Sequence, residues 1–507
     1  VKAQQPSIIQ RLAGQSGLIM LGNLFTLFVG FPFQIYLAKT LGAEQLGALG
    51  LFEAIAQTVG PLLGFGLGFT LVRFVPQQVE LGQHRHVRML MRQVYFLTTL
   101  CGIIGAVLVA VGGVLLLRWM PELVPYQDLF PLVGLMTLLG MLVGISQQAL
   151  RAFFDIPHMV WISSFLQLSI KVAITIVLLW WGWALMGYLL AVVASAGVAL
   201  LGMLWGVRKH LRRLAATQEE ITPQTRKSWR AYASTMYGNT LLGIAAAPAE
   251  RFLLAGTIDL ASVGVLMAVR QLQAFPQVLL QVIITVIGPM FVAARTKGHQ
   301  EEVEHIYHIS TDWVCRLGFP LLVFLLVFGE QVLALYGAAF ASAGRWPLFL
   351  LLLAQVVNLS CGPLGIMLNM LGHENRMLQL NTISNGIFFA CLLLLVPFLG
   401  LLGVALGGLS SMLFLNLAAI HTMKRRLDIP WWSPRYQRLL LPLVVITLAA
   451  LALSATSGVA TAWSLVAALL GLYLIFFMVY AMRGFSHEDR EVYGLLLSRL
   501  NLGHKQN

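Results

Sequence analysis

Seven charged side chains, Glu53, Lys171, Glu250, Arg251, Arg270, Asp312 and Arg316, fall inside apolar runs long enough to cross a membrane. A charge at the centre of a bilayer costs about 2.5–3.5 kcal/mol on insertion scales, so each is expected to face a partner or a hydrated cavity. Amides surround them at helical spacing. Gln57 stands four residues after Glu53, and Gln273, Gln277 and Gln281 follow Arg270 at intervals of three and four. Asn23, Gly30 and Gln34 mark one face of an earlier run, and Asn239, Gly243, Ala246 and Glu250 mark one face of a later one. This set suits recognition: guanidinium forks match phosphate oxygens and amides match sugar hydroxyls. Arg270, Arg251 and Lys171 are the candidate anion ligands, with Gln273, Gln277, Gln281, Asn23, Gln34, Gln57 and Asn239 lining a polar cleft. Glu53 and Glu250 are candidates for ion pairing or for coupling to a proton or sodium ion. Asp312 and Arg316, four residues apart, read as a local pair on one helix. No Walker A, HExxH or nucleophile-elbow motif occurs, so no ATP hydrolysis, catalytic role, cofactor or metal is expected.

The elements that must position these residues follow from composition. With 58% hydrophobic and only 10% charged residues among 507, the chain departs far from soluble proteins, whose charged share is about 25%. It reads as an all-α, polytopic membrane protein. A span needs about 20 apolar residues, and fourteen candidates are centred near Phe28, Thr58, Ile104, Leu139, Ser169, Val193, Ile244, Leu279, Val323, Val356, Phe389, Leu413, Thr447 and Leu472. Pro32, Pro61, Pro248, Pro276, Pro289, Pro320 and Pro363 are expected to kink spans where neighbours or water satisfy the freed carbonyls. Cys101, Cys315, Cys361 and Cys391 fall in spans without metal spacing and are expected as free thiols.

The chain is also duplicated. Gly22-Asn23 and Pro32 recur as Gly238-Asn239 and Pro248, at an offset of 216; Gly47 recurs as Gly264 and Arg73-Phe74-Val75 as Met290-Phe291-Val292, at 217. Leu150 and Met159 then match Leu368 and Met377, Gly182 matches Gly400, and Arg208-Lys209 matches Lys424-Arg425. So long a period indicates a duplicated bundle rather than a solenoid. The expected plan is an N-terminal six-helix lobe (1–209), a cytoplasmic linker (210–230), a C-terminal six-helix lobe (231–425), extra helices 13 and 14 (426–482) and a cytoplasmic amphipathic tail (483–507). Six spans per copy is an even number, so the repeats are expected to be parallel, about an axis along the membrane normal. That axis would face Glu53 towards its equivalent, Arg270; Arg251, next to Glu250 in the chain, is expected near the membrane interface.

The formal net charge of +13 invites a nucleic-acid reading, which the placement of the basic residues argues against. With the N-terminus cytoplasmic, 26 of the 33 Lys and Arg fall on the inner side, 3 outside (Lys39, Arg118 and Arg345) and 4 within spans. That asymmetry marks orientation, with the basic clusters meeting anionic membrane lipids.

The run Leu41-Gly42-Ala43-Glu44-Gln45-Leu46-Gly47, with six plus six plus two spans, resembles the polysaccharide-transporter (O-antigen-type flippase) branch of the multidrug/oligosaccharidyl-lipid/polysaccharide exporter superfamily. The resemblance implies a V-shaped bundle in the bacterial inner membrane with both termini cytoplasmic. It further implies a flippase moving a polyprenyl-(pyro)phosphate-linked oligosaccharide for lipopolysaccharide or exopolysaccharide assembly, beside polymerase machinery. A lipid II flippase also has fourteen spans. A cation-coupled drug or metabolite antiporter of the same superfamily usually has twelve, and the loop from Arg73 to Arg92 lacks the major-facilitator signature.

Overall fold

The computed structural model describes residues 8–214, 223–244, 246–296, 298–455 and 461–482; among these the regular structure is entirely helical. The first helix, α1 (Ile8–Leu63), runs for 56 residues and departs from helical geometry at Gly42 (φ 76°, ψ 176°). At 1.5 Å per residue an unbroken helix of that length would be about 84 Å long, far beyond a bilayer of about 40–45 Å. Gly42 therefore divides it into two spans, and the absence of a Cβ makes that positive φ accessible.

Next come α2 (Leu67–Glu80), α3 (His84–Leu116), a 3₁₀ stretch (Pro121–Leu129), α4 (Phe130–Ala152), α5 (Ile156–Val160), a π-helical stretch (Trp161–Leu166), α6 (Gln167–Trp180) and α7 (Ala184–Arg213). The second copy supplies α8 (Pro223–Ile244), α9 (Ala246–Thr257), α10 (Leu260–Thr296), α11 (Gln300–Ala334), α12 (Ala338–Cys361), α13 (Leu364–Met370), α14 (Glu374–Leu399) and α15 (Leu401–Leu427). Two more helices, α16 (Gln437–Ala455) and α17 (Ala462–Met482), close the described chain.

Among the described residues, twelve helical segments are long and apolar enough to cross a membrane. One of them, Gly17–Leu63, holds the break at Gly42, so the twelve segments amount to thirteen spans. The span expected near Ile244 falls on α8 and α9, which flank residue 245; that residue and the side chains of 239–247 lie outside the described set. The linker segment 215–222 and the tail 483–507 also lie outside it.

The chain divides into two compact units. One comprises residues 1–267 with 392–401, the other residues 268–391 with 402–507. In the first unit, α4 packs between α3 and α7, with α6 against α7. A buried cluster built from α2 to α5 and α7, including Leu71, Val87, Leu150 and Met203, receives Trp229 of α8. Span two ends at Leu63, and the chain turns through Phe65 and Gly66, both at positive φ, into the separate helix α2.

In the second unit, α11 packs along α12 and also carries the α16–α17 hairpin. Tyr473 donates to the Leu317 carbonyl at 2.6 Å, and the Arg316 guanidinium sits 4.3 Å from the Tyr480 ring centroid. Pro363 is not inside a helix, contrary to expectation. Gly362 adopts φ 59° after α12 and Pro363 stands at the start of α13, so the chain stops one helix and begins another.

Candidate functional site

The second half of α1 carries a row of small residues before its acid. Gly47 and Gly50 lie on the face that meets the start of α10. A Cβ on Gly47 would stand 1.7 Å from the Leu260 carbonyl oxygen, and one on Gly264 would stand 2.0 Å from the Ala43 carbonyl oxygen. Only hydrogen fits at either position, and the two helix backbones touch there. A Cβ on Gly50 would meet the Met267 sulfur at 2.6 Å, so the close approach continues for a turn.

Glu53 follows one turn later. Its carboxylate lies 3.7 Å from the Arg251 guanidinium of α9, which also donates to the Gly50 carbonyl at 3.1 Å. Within this unit the partner of Glu53 is Arg251; Arg270, its equivalent in the repeat, belongs to the other unit. The side chains of Glu53 and Arg251 are 31% and 18% exposed, a burial in which attraction is only partly screened by water. Lys171 of α6 lies within electrostatic reach of the same carboxylate, and its ammonium is 5.8 Å from the Phe33 and 6.0 Å from the Tyr188 ring centroids. Lys171 thus has the Glu53 carboxylate and two aromatic rings in reach, and cation–π attraction of this kind contributes about 0.5–2 kcal/mol. Two cations share one acid. The cluster carries net positive charge before Glu250, 4% exposed and next to Arg251 in the chain, is counted.

A second close approach lies further along. A Cβ on Gly66 would stand 2.5 Å from the Ala233 carbonyl oxygen of α8, Tyr237 donates to the Leu62 carbonyl at 2.7 Å, and its ring lies 5.1 Å from Phe65. Arg73 of α2 covers the Tyr232 ring at 4.4 Å. The Glu53–Arg251 pair therefore sits between two points, Gly47 and Gly66, at which helices of the first copy touch helices of the second.

Of the polar residues expected around this site, Asn23 and Gln57 are exposed and Gln34 is half-buried, all in the first unit. An amide on a membrane span costs several kcal/mol in hydrocarbon without a partner, so such residues need polar or aqueous surroundings. In the second unit, Arg270 is half-buried and donates to Gln273 at 2.8 Å; Gln273 is buried, and Gln277 and Gln281 are exposed on the same helix. The side chain of Asn239 lies outside the described residues. Asp312 and Arg316 form the expected local pair, with Tyr480 over the guanidinium. Phe33 and Tyr188 were not anticipated as site residues, because a lone aromatic in an apolar run carries no signal until its helix is oriented.

The chain shares its fold with several solved transporters. The lipid II flippase MurJ in an inward closed conformation aligns with a TM-score of 0.70 at 12% identity, covering 92% of this chain and 99% of that one. A multidrug resistance MATE family transporter of the MOP superfamily, inward-facing, aligns at 0.63 with 16% identity, covering 80% and 94%. The Vibrio cholerae MATE transporter VcmN aligns at 0.54 with 16% identity, covering 84% and 98%. No curated protein sequence matches. Residues 12–295, more than half of the chain and including Glu53, Lys171, Glu250, Arg251 and Arg270, match the polysaccharide biosynthesis protein family; the chain is a member of that family, with the fold of a MOP superfamily transporter.

Proposed function

We propose that this protein is a flippase that moves a polyprenyl-(pyro)phosphate-linked oligosaccharide across the bacterial inner membrane by alternating access, for cell-surface polysaccharide assembly. The observation that carries the reading is the Glu53–Arg251–Lys171 cluster, in which cations from two different helices meet one carboxylate among membrane-spanning helices. The barrier to flipping is the sugar head: each hydroxyl buried without a partner costs about 2–7 kcal/mol, so the head needs a polar route while the isoprenoid tail stays in lipid. Phosphate oxygens displacing Glu53 from Arg251 and Lys171 would gain charged hydrogen bonds worth about 1.5–3 kcal/mol each. Head-group arrival would thereby release a carboxylate, and coupling to a proton or sodium ion would act through that same Glu53. Alternating access requires the contacts at Gly47 and Gly66 to open in turn, since the charged cluster lies between them.

The test is reconstitution into vesicles loaded with a fluorescent lipid-linked oligosaccharide, following its exposure to an impermeant glycosidase. Exposure that depends on the protein and drops at least tenfold in Arg251→Gln supports the reading. A chain that leaves that substrate in place but flips lipid II, or exchanges a cationic drug for protons, belongs to one of the other two transport classes.

A further inference from the structure

The two copies of the duplicated unit differ at one end of their last helix pair, and the difference leaves a cavity. Backbone geometry fixes the register. Asp155 N–H donates to the Leu150 carbonyl at 2.9 Å and His373 N–H to the Leu368 carbonyl at 2.9 Å. Met159 N–H donates to Asp155 at 3.2 Å and Met377 N–H to His373 at 3.1 Å. Phe154 (φ 58°) and Gly372 (φ 84°) hold the same turn. At the far end, buried Met203 and Val207 of α7 correspond to buried Ala419 and Met423 of α15. Asp155, His158, Trp205 and His210 thus become His373, Arg376, His421 and Arg426.

In the first copy this corner is filled and neutralised. Asp155 accepts from His210 at 2.7 Å, Phe153 stacks on His210 at 5.1 Å between ring centroids, and His158 meets Trp205 at 5.7 Å. In the second copy the acid has become a histidine, the tryptophan a smaller ring, and both other histidines arginines. What remains is an open cavity of about 320 Å³ lined by Arg376, Gln379, His421, Thr422, Arg425 and Arg426. Three guanidiniums line it and, among the described residues, no acid does; Glu374 and Asp428, the nearest acids in the chain, are not part of its wall. Arg376 donates to Gln379 at 3.1 Å, which orients one fork along the wall.

We propose that this cavity holds the phosphodiester headgroup of an anionic membrane phospholipid. Guanidinium forks match phosphate oxygens, and basic pockets between membrane helices at the headgroup level select anionic lipids. A lipid is favoured over free phosphate by what lies one turn deeper on the same faces. Ile383 follows Gln379 by four residues and Leu417 precedes His421 by four; both are exposed, at 48% and 60%. They give an acyl chain an apolar path leading directly from the charged cavity. The proposal concerns a site remote from Glu53 and holds whichever substrate the protein carries.

Native mass spectrometry of the full chain in detergent, titrated with phosphatidylglycerol, phosphatidylcholine or inorganic phosphate, tests it. Phosphatidylglycerol should bind at roughly tenfold lower concentration than phosphatidylcholine, and Arg376→Gln/Arg426→Gln should weaken the former about tenfold while leaving the latter unchanged. His373→Asp provides an independent arm. It restores the carboxylate of the first copy with every arginine in place, and should weaken phosphatidylglycerol binding to a similar degree without lowering the melting temperature. Phosphatidylglycerol binding that is unchanged in both variants, or that falls together with phosphatidylcholine binding, overturns the proposal. Inorganic phosphate binding as tightly as phosphatidylglycerol overturns the lipid assignment.

Discussion

Gly47 and Gly264, which occupy the same place in the two copies of the duplicated unit, touch each other's helices: each would drive a Cβ to within 2.0 Å of a carbonyl oxygen on the opposing helix, at 1.7 Å for Gly47 and 2.0 Å for Gly264. Contact between repeat-equivalent residues marks a local twofold relationship. Replacing Gly47 by Val forces α1 and α10 apart, because the obstruction is backbone and cannot rotate away. The expected outcome is at least a tenfold loss of translocation at unchanged membrane levels. A cysteine placed at Ala43 should then react faster with an impermeant maleimide in the Gly47→Val background than without it.

Glu53→Gln leaves Arg251 and Lys171 without their shared acid. Removing one partner of a partly buried pair strands the other charge, whereas removing both does not. The double variant Glu53→Gln/Arg251→Gln is expected to recover thermal stability relative to Glu53→Gln alone, read as melting temperature in detergent, while translocation stays low. Recovery of stability and transport together would reduce the cluster to a structural tie.

Asp312 and Arg316 have side chains only 4% and 10% exposed, and the guanidinium is covered by Tyr480 of α17. Asp312→Asn should destabilise the protein by about 3–5 kcal/mol through an uncompensated buried charge. Arg316→Met combined with Asp312→Asn should cost less than Asp312→Asn alone. Both are checked by thermal unfolding of the purified protein.

Tyr436 links the base of the α16–α17 hairpin to α11, its hydroxyl 2.9 Å from Nδ1 of buried His308, whose Nε2 lies 3.5 Å from Glu304. Tyr436→Phe leaves a buried ring nitrogen without that partner. A loss of about 1–3 kcal/mol is expected, concentrated in the hairpin. Hydrogen exchange that rises in α16 and α17 ahead of the rest of the second unit is the readout.

Orientation can be examined directly. Reporter fusions at Glu220 and Gln437 are expected on the cytoplasmic side and fusions at Ala184 and Gly458 outside, following the 26-to-3 division of basic residues. An external signal at Glu220 would invert the arrangement.

The sequence by itself determined the helical class, most of the spans and the duplication, because these are written in one dimension: apolar run length, helical period and a fixed offset. It also determined the Asp312–Arg316 pair, since residues four apart on one helix are neighbours whatever surrounds them. The equivalence of Gly47 and Gly264 was legible as an offset, but not that they touch. Partner choice between helices belongs to the tertiary structure. The Glu53 carboxylate meets Arg251, because glycines at 47 and 50 let α1 approach the second copy closely enough to bring α9 within reach. The surroundings of Lys171, the Glu53 carboxylate and the rings of Phe33 and Tyr188, are decided only when α6 and α7 are set beside α1. The basic cavity is a further case. In one dimension Arg376, Arg425 and Arg426 are only three of the basic residues assigned to the inner side, and the cavity forms only where α14 and α15 bring them together. Periodicity reports which residues share a face; rotation and distance between helices decide what that face meets.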